Sequence, residues 1–118
     1  GDIDGAEHQA AASAKVAQSQ GSRFDEVRGH VAYIRTQLAR GGAQALARAE
    51  ASLVRSQSLT DEFEINLYLA ELHECRARMA LQRGETGAAA TSFELALKQY
   101  DAMGAPLQAA RLRKEVLQ

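Results

Sequence analysis

The chain has 118 residues, of which 46% are hydrophobic and 25% charged, and its net charge is −1. That is enough for one ordinary domain with a core of its own, and it lies outside the low-hydrophobicity, high-charge range of disordered chains. A charge this close to zero offers no electrostatic footprint for nucleic acid or an anionic membrane surface, so neither is expected as a partner. The single cysteine, Cys75, excludes an internal disulfide and a thiolate metal framework, and it fits a reducing compartment such as the cytoplasm. No apolar run approaches the length of about 20 residues that spans a bilayer, and no signal-peptide pattern opens the sequence.

Roughly a fifth of the residues are alanine and the one proline is Pro106, a composition that favours closely packed helices. Turn residues at Gly21-Ser22, Gly41-Gly42, Leu59 to Asp61, Gly84 and Gly104 to Pro106 divide the chain. The segments between them predict helices over about 3 to 20, 23 to 40, 43 to 57, 61 to 83, 86 to 102 and 106 to 117. Ser22 with Asp25, and Asp61 with Glu64, have the spacing of a capping box at the start of the second and fourth. The fourth shows the clearest periodicity, Ile65, Tyr68, Leu72, Cys75 and Met79 falling at steps of three and four, which predicts one buried face. Ala105, Ala109, Leu112 and Val116 repeat that pattern in the sixth, where Pro106 occupies a first-turn position that tolerates proline. No segment alternates like a half-buried strand. Short turns between helices force sequence neighbours to lie antiparallel.

The sequence also repeats itself. Leu81-Gln82-Arg83-Gly84 echoes Leu38-Ala39-Arg40-Gly41, and His73 falls where His30 does. Gly1-Asp2 to Gly21 echoes Gly84-Glu85 to Gly104, each an alanine-rich helix between a glycine-acid start and a closing glycine. In this reading the chain opens on the second helix of a hairpin. Ala77, Gly84-Glu85, Ala89, Phe93 and Ala96-Leu97 then stand at the offsets of the small residue, turn, close-contact alanine, aromatic and ending of the tetratricopeptide repeat (TPR), which this stretch resembles. The pair from 23 to 57 keeps Ala45, Ala49 and Leu53 with one residue deleted after Gly42. The longer spacing, and the ending from Tyr100 to Val116, are similar to repeat tracts of large bacterial signalling regulators: MalT-like, LuxR-type activators and cyclase or kinase fusions. The resemblance implies an all-α fold of about six helices, stacked as antiparallel hairpins in a short TPR-like solenoid. It implies a single repeat domain over residues 1 to 118, expected to be a fragment of a longer protein.

Nothing in the sequence assembles a catalytic or metal site. His73 and Cys75, two apart on a helix, point about 200° from one another and cannot share a ligand. Gly41-Gly42 lacks the lysine and serine or threonine of a phosphate loop. Asp61, Glu62 and Glu64 read as compensation of a helix dipole rather than as general acids or bases. No enzyme activity, cofactor or metal is expected.

The resemblance implies that the first helix of each hairpin lines a concave surface. It places Arg28, Val31, Arg35 and Ala39 there in one repeat, and Glu71, Glu74, Arg78 and Gln82 in the next. Arg35 and Arg78 are equivalent in this register and could fork a carboxylate or a peptide carbonyl. The alternative is a solvated charged face with local pairs such as Glu74 with Arg78. The lysine and asparagine of the dicarboxylate clamp found in chaperone-binding relatives are absent. The expected function is a protein-interaction or scaffold module of a bacterial signalling or transcriptional regulator, with a protein or peptide partner. Ligand or peptide sensing, and self-association through open helix ends, are the alternatives.

Overall fold

A computed structural model describes residues 2–116. All regular structure among them is α-helical: α1 (Asp2–Ser19), α2 (Arg23–Arg40), α3 (Ala43–Phe63), α4 (Leu69–Gln82), α5 (Thr86–Ala102) and α6 (Pro106–Val116). α2 and α5 run between the bounds read from the sequence, and the predicted end of the last helix, residue 117, lies outside the described residues. The chain forms two compact units, Gly1–Tyr68 and Leu69–Gln118. In the first, α1 packs on α2 and α2 on α3; in the second, α4 packs on α5 and α5 on α6.

Glycine ends three of these helices in the same way. Gly21, Gly84 and Gly104 adopt φ of +71°, +77° and +69°. In each case the following amide, of Ser22, Glu85 or Ala105, donates back to the carbonyl of Ala17, Ala80 or Tyr100 at 2.9 Å. The left-handed residue turns the chain back so that the next helix begins two residues later, and only glycine takes that conformation without steric cost.

The connection between α3 and α4 departs from the sequence reading. α3 runs through the expected turn at Leu59 to Asp61, because Leu59 and Thr60 are buried and hold that stretch in the helix. It stops instead at Glu64, a non-glycine residue at φ 54°, whose amide donates to the Thr60 carbonyl. Asp61 therefore lies inside a helix, and the Asp61-Glu64 capping box does not form. Ser22 does stand at the N-cap of α2, but its hydroxyl donates to the Asp25 carboxylate at 2.8 Å and no helix amide donates to it. Of the predicted stripe, Leu72, Cys75 and Met79 are buried on α4, while Ile65 and Tyr68 belong to the segment before it. Tyr68 packs its ring on Phe24 at 5.2 Å.

The cores are built from small residues. In the second unit Ala70, Ala77 and Ala80 of α4 meet Ala89, Phe93, Ala96 and Tyr100 of α5, with Ala109 and Leu112 of α6 closing the cluster. In the first, Ala10, Ala14 and Ala17 are the buried face of α1, and Gly29 of α2 lies directly against Ala14. A Cβ at Gly29 would stand 2.9 Å from the Ala14 backbone nitrogen and 3.0 Å from its Cα. At Gly87, on α5, a Cβ would meet nothing within 4 Å. Alanine at either site gains helix propensity, but at Gly29 the overpacking, worth about 1 to 3 kcal/mol, exceeds that gain of about 1 kcal/mol. Thermal melting should therefore show Gly29→Ala destabilised and Gly87→Ala unchanged or slightly stabilised. An unperturbed Gly29→Ala variant would mean that α1 and α2 are not in backbone contact there.

Candidate functional site

Three buried polar side chains organise the charged residues. Glu26 of α2 is 3% exposed and receives both Nε and Nη2 of Arg55 from α3, at 2.8 and 3.2 Å. The His30 ring lies 2.9 Å from the same carboxylate by Nε2 and 3.2 Å from Ser52 Oγ by Nδ1, so it too ties α2 to α3. Gln37, about three turns beyond Glu26 on α2, is fully buried. It accepts from Arg48 Nε of α3 at 2.8 Å and donates to Glu7 of α1.

Glu74 of α4 is the third. Its carboxylate accepts from Arg78 Nη2 at 3.0 Å, from Arg111 Nη2 of α6 at 2.9 Å and from the Tyr100 hydroxyl of α5 at 3.1 Å. Glu115 closes the ring by pairing with both Arg78 and Arg111. The guanidinium of Arg78 also lies 5.7 Å over the Phe93 ring. α4 and α6 each pack on α5, and these long side chains bridge from α6 to α4.

Electrostatics follow from the geometry. The hydrogen bond from Arg55 holds the Glu26 carboxyl below its ordinary value of 4.5. Burial pushes Glu74 upward, but the bonds from Arg111 and Arg78 outweigh it and leave the carboxyl lowered. Burial and the Glu74 charge push the Tyr100 phenol up, which keeps it a donor. Burial and the neighbouring Arg76 lower His73, so its ring is neutral and accepts from Arg76 Nη1 at 2.9 Å.

The residues expected on a concave ligand-binding face are thereby divided. Arg28 and Arg35 are exposed on α2, Arg28 lying 3.1 Å from Asp25. Glu71 is half-buried and Gln82 exposed on α4. Glu74 is not part of an open surface, being 5% exposed and bonded into the clamp that fastens α6; Arg78 is bonded into the same clamp but keeps a side chain 37% exposed. The local Glu74-Arg78 pair is present, as part of that larger network. Arg78 thus belongs to the Glu74–Glu115 network, whereas Arg35 lies exposed on α2. The sequence reading missed Arg55, Arg111 and Tyr100, which lie 26 to 37 residues from the acids they hold. The pairing of Gly1-Asp2 to Gly21 with Gly84-Glu85 to Gly104 did carry a signal, since it sets Arg28 against Arg111.

The other feature is a groove of about 680 Å³ along the α1–α2 hairpin. Its floor is Ala6, Ala10, Ser13 and Ala17 with Gly29 and Ala32; Val16, 53% exposed, and the Asp25-Arg28 pair stand at its edge. Most of its lining is small residues, with Gln9, Gln20 and Thr36 interspersed. Among the described residues no group of three or more His, Cys, Asp or Glu is placed to hold a metal ion, and no helix is long and apolar enough to cross a membrane.

The fold thus defines a class, all-α with antiparallel helical hairpins inside each unit. Comparison of the chain with family models, curated proteins and solved structures finds no match.

Glu26 and Glu74 have lowered folded-state pKa values, so the stability they contribute is complete above about pH 4.5 and is lost as the pH falls through those lowered values. Thermal melting should weaken steeply below that pH. Glu74→Gln should cost about 2 kcal/mol at neutral pH, moderated because its arginine partners are partly exposed, and should flatten the acid limb. An acid limb identical to that of the unaltered chain would show that the clamp does not form.

Proposed function

We propose that this chain is a non-catalytic protein-interaction module, acting as a scaffold segment of a larger regulator and binding another polypeptide on the α1–α2 hairpin. The groove carries this reading: it presents apolar backbone-near surface and one exposed apolar side chain to solvent, and it is rimmed by charge that can orient a partner. The buried acids are already paired with arginines that link helices, which suits a rigid platform better than a reactive centre. Resemblance to TPR-like tracts of bacterial signalling and transcriptional regulators supports a scaffold role and a cytoplasmic setting. Arg28 remains a candidate contact, at the groove edge.

Site-directed photocrosslinking checks this in the protein's native cells. A photoreactive amino acid replacing Ser13 should give a discrete crosslinked polypeptide, whereas the same group replacing Val54, 70% exposed on α3, should not. Crosslinks equal at both positions, or none at Ser13, would contradict an interaction surface on this hairpin.

A further inference from the structure

His30 does more than tie two helices together. Its Nε2 lies 2.9 Å from the Glu26 carboxylate, whose pKa the Arg55 hydrogen bond lowers, so that acid is ionised at neutral pH and can only accept. Nε2 therefore carries the ring proton, and in the neutral ring Nδ1, 3.2 Å from Ser52 Oγ, accepts the serine hydroxyl. Ser52 thus commits its one hydrogen to His30 and keeps only lone pairs for anything else. His30 and Ser52 line a recess of about 200 Å³ among α1, α2 and α3, together with Lys15 and Gln18 of α1 and Tyr33 of α2, over Ala14. The side chains of Lys15, Gln18 and Tyr33 make no hydrogen bond or ion pair to another described residue. Glu7, two turns before Lys15 on the same face of α1, is taken by Arg40 and Gln37, and Glu26 is taken by Arg55 and His30. The Lys15 charge is left without a carboxylate. Lys15 and Gln18 point about 200° round α1 from Ser13 and Val16 of the groove, so the recess is a separate surface.

We propose that this recess binds a small hydroxylated monocarboxylate of the sugar-acid class, its carboxylate on Lys15 and one of its hydroxyls donating to Ser52 Oγ. The site goes beyond the interaction surface and does not rest on it. Donors and acceptors set the class of ligand. Lys15 offers three donors and a full charge, which selects an anion. With His30 neutral it is the one charged side chain in the described lining, so a second carboxylate or a phosphate dianion would bring charge that nothing there offsets. Ser52 Oγ can only accept in this arrangement, so the group set on it must be a donor, and a ligand hydroxyl meets that requirement. Tyr33 and Gln18 both donate and accept, and can serve further hydroxyls. The volume is that of about seven water molecules at about 30 Å³ each, room for an acid of about six carbons. Because His30 is held between Glu26 and Ser52, the acceptor is in place before a ligand arrives.

Gluconate is the probe, titrated as its sodium salt into the isotope-labelled whole chain at constant ionic strength and followed by amide chemical shifts. Saturable shifts centred on Lys15, His30, Tyr33 and Ser52 are expected, with a dissociation constant on the order of 1 mM or below. Lys15→Gln and Ser52→Ala should each weaken binding about tenfold. Hexanoate, which has the carboxylate and no hydroxyl, should bind less tightly than gluconate, respond to Lys15→Gln and be indifferent to Ser52→Ala. Lys15 is exposed, so Lys15→Gln keeps the fold and, with the comparison of the two acids, decides the matter even if Ser52→Ala unfolds. Shifts that are absent, do not saturate or centre elsewhere overturn the proposal. So does binding indifferent to Lys15→Gln, hexanoate bound as tightly as gluconate, or equal weakening of both acids by Ser52→Ala, which would make Ser52 merely structural. The Ser13-sited crosslink is independent of all these results, so either reading can fall without the other.

Discussion

At Gly29 the backbone of α2 comes so near α1 that a single methyl group would stand within 3.0 Å of the nitrogen, Cα and Cβ of Ala14. The rest of the first unit depends on that approach. Helices separated by glycine and alanine lie close and make many backbone-level contacts, but each small side chain buries little apolar area. Alanine-rich faces recur at Ala45 and Ala49 on α3 and at Ala77, Ala80, Ala89 and Ala96 in the second unit. Larger residues such as Ile34, Leu72, Met79 and Leu112 are few and fully buried. Such cores fix the distance between helices tightly while leaving their rotation and register less constrained than a core of large interlocking side chains would.

The buried acids and amide supply that constraint. Glu26 can accept the Arg55 fork only when α2 and α3 are in one register, and Gln37 bonds to α1 and α3 at once. Glu74 does the same for three helices, receiving Arg78 from its own helix, Tyr100 from α5 and Arg111 from α6. Taking a carboxylate out of water costs several kcal/mol, which its partners must offset, so the net gain in stability is modest. Loss of one partner is costly, because a charge or amide would be left buried without a bond. The clamps therefore act mainly against slipped pairings of faces that are otherwise uniform in size and chemistry.

Where the sequence was legible, local physics wrote the structure. α2 and α5 could be delimited because a glycine in a left-handed turn stands at an end of each; Ala77, Ala89, Phe93 and Ala96, which the repeat resemblance places at helix contacts, are buried. The stretch from 57 to 69 was misread because no glycine marks the stop: Glu64 takes the left-handed conformation itself, and Leu59 is buried within the helix thought to have ended before it. Glu74 looked like a surface residue with a neighbour four positions away. It is buried, and one of its partners there is Arg111, a residue 37 positions later that only the folded chain brings to it. The groove was illegible for another reason, since a position is left uncovered by what fails to pack there, and Ser13 and Ala96 occupy equivalent places in similar helices.

That last pair allows the central claim, that α1 offers an open face where α5 has a covered one, to be measured directly. Cysteine introduced singly as Ser13→Cys or Ala96→Cys, with the buried Cys75 as internal reference, can be timed by its reaction with a thiol reagent in the folded protein. The thiol at position 13 should react at close to the rate of an unfolded chain, and the one at position 96 should be protected to about the same degree as Cys75. Protection at both positions would show that the α1 face is already covered, and free reaction at both would show that α4 does not hold its place on α5; either result would contradict the account.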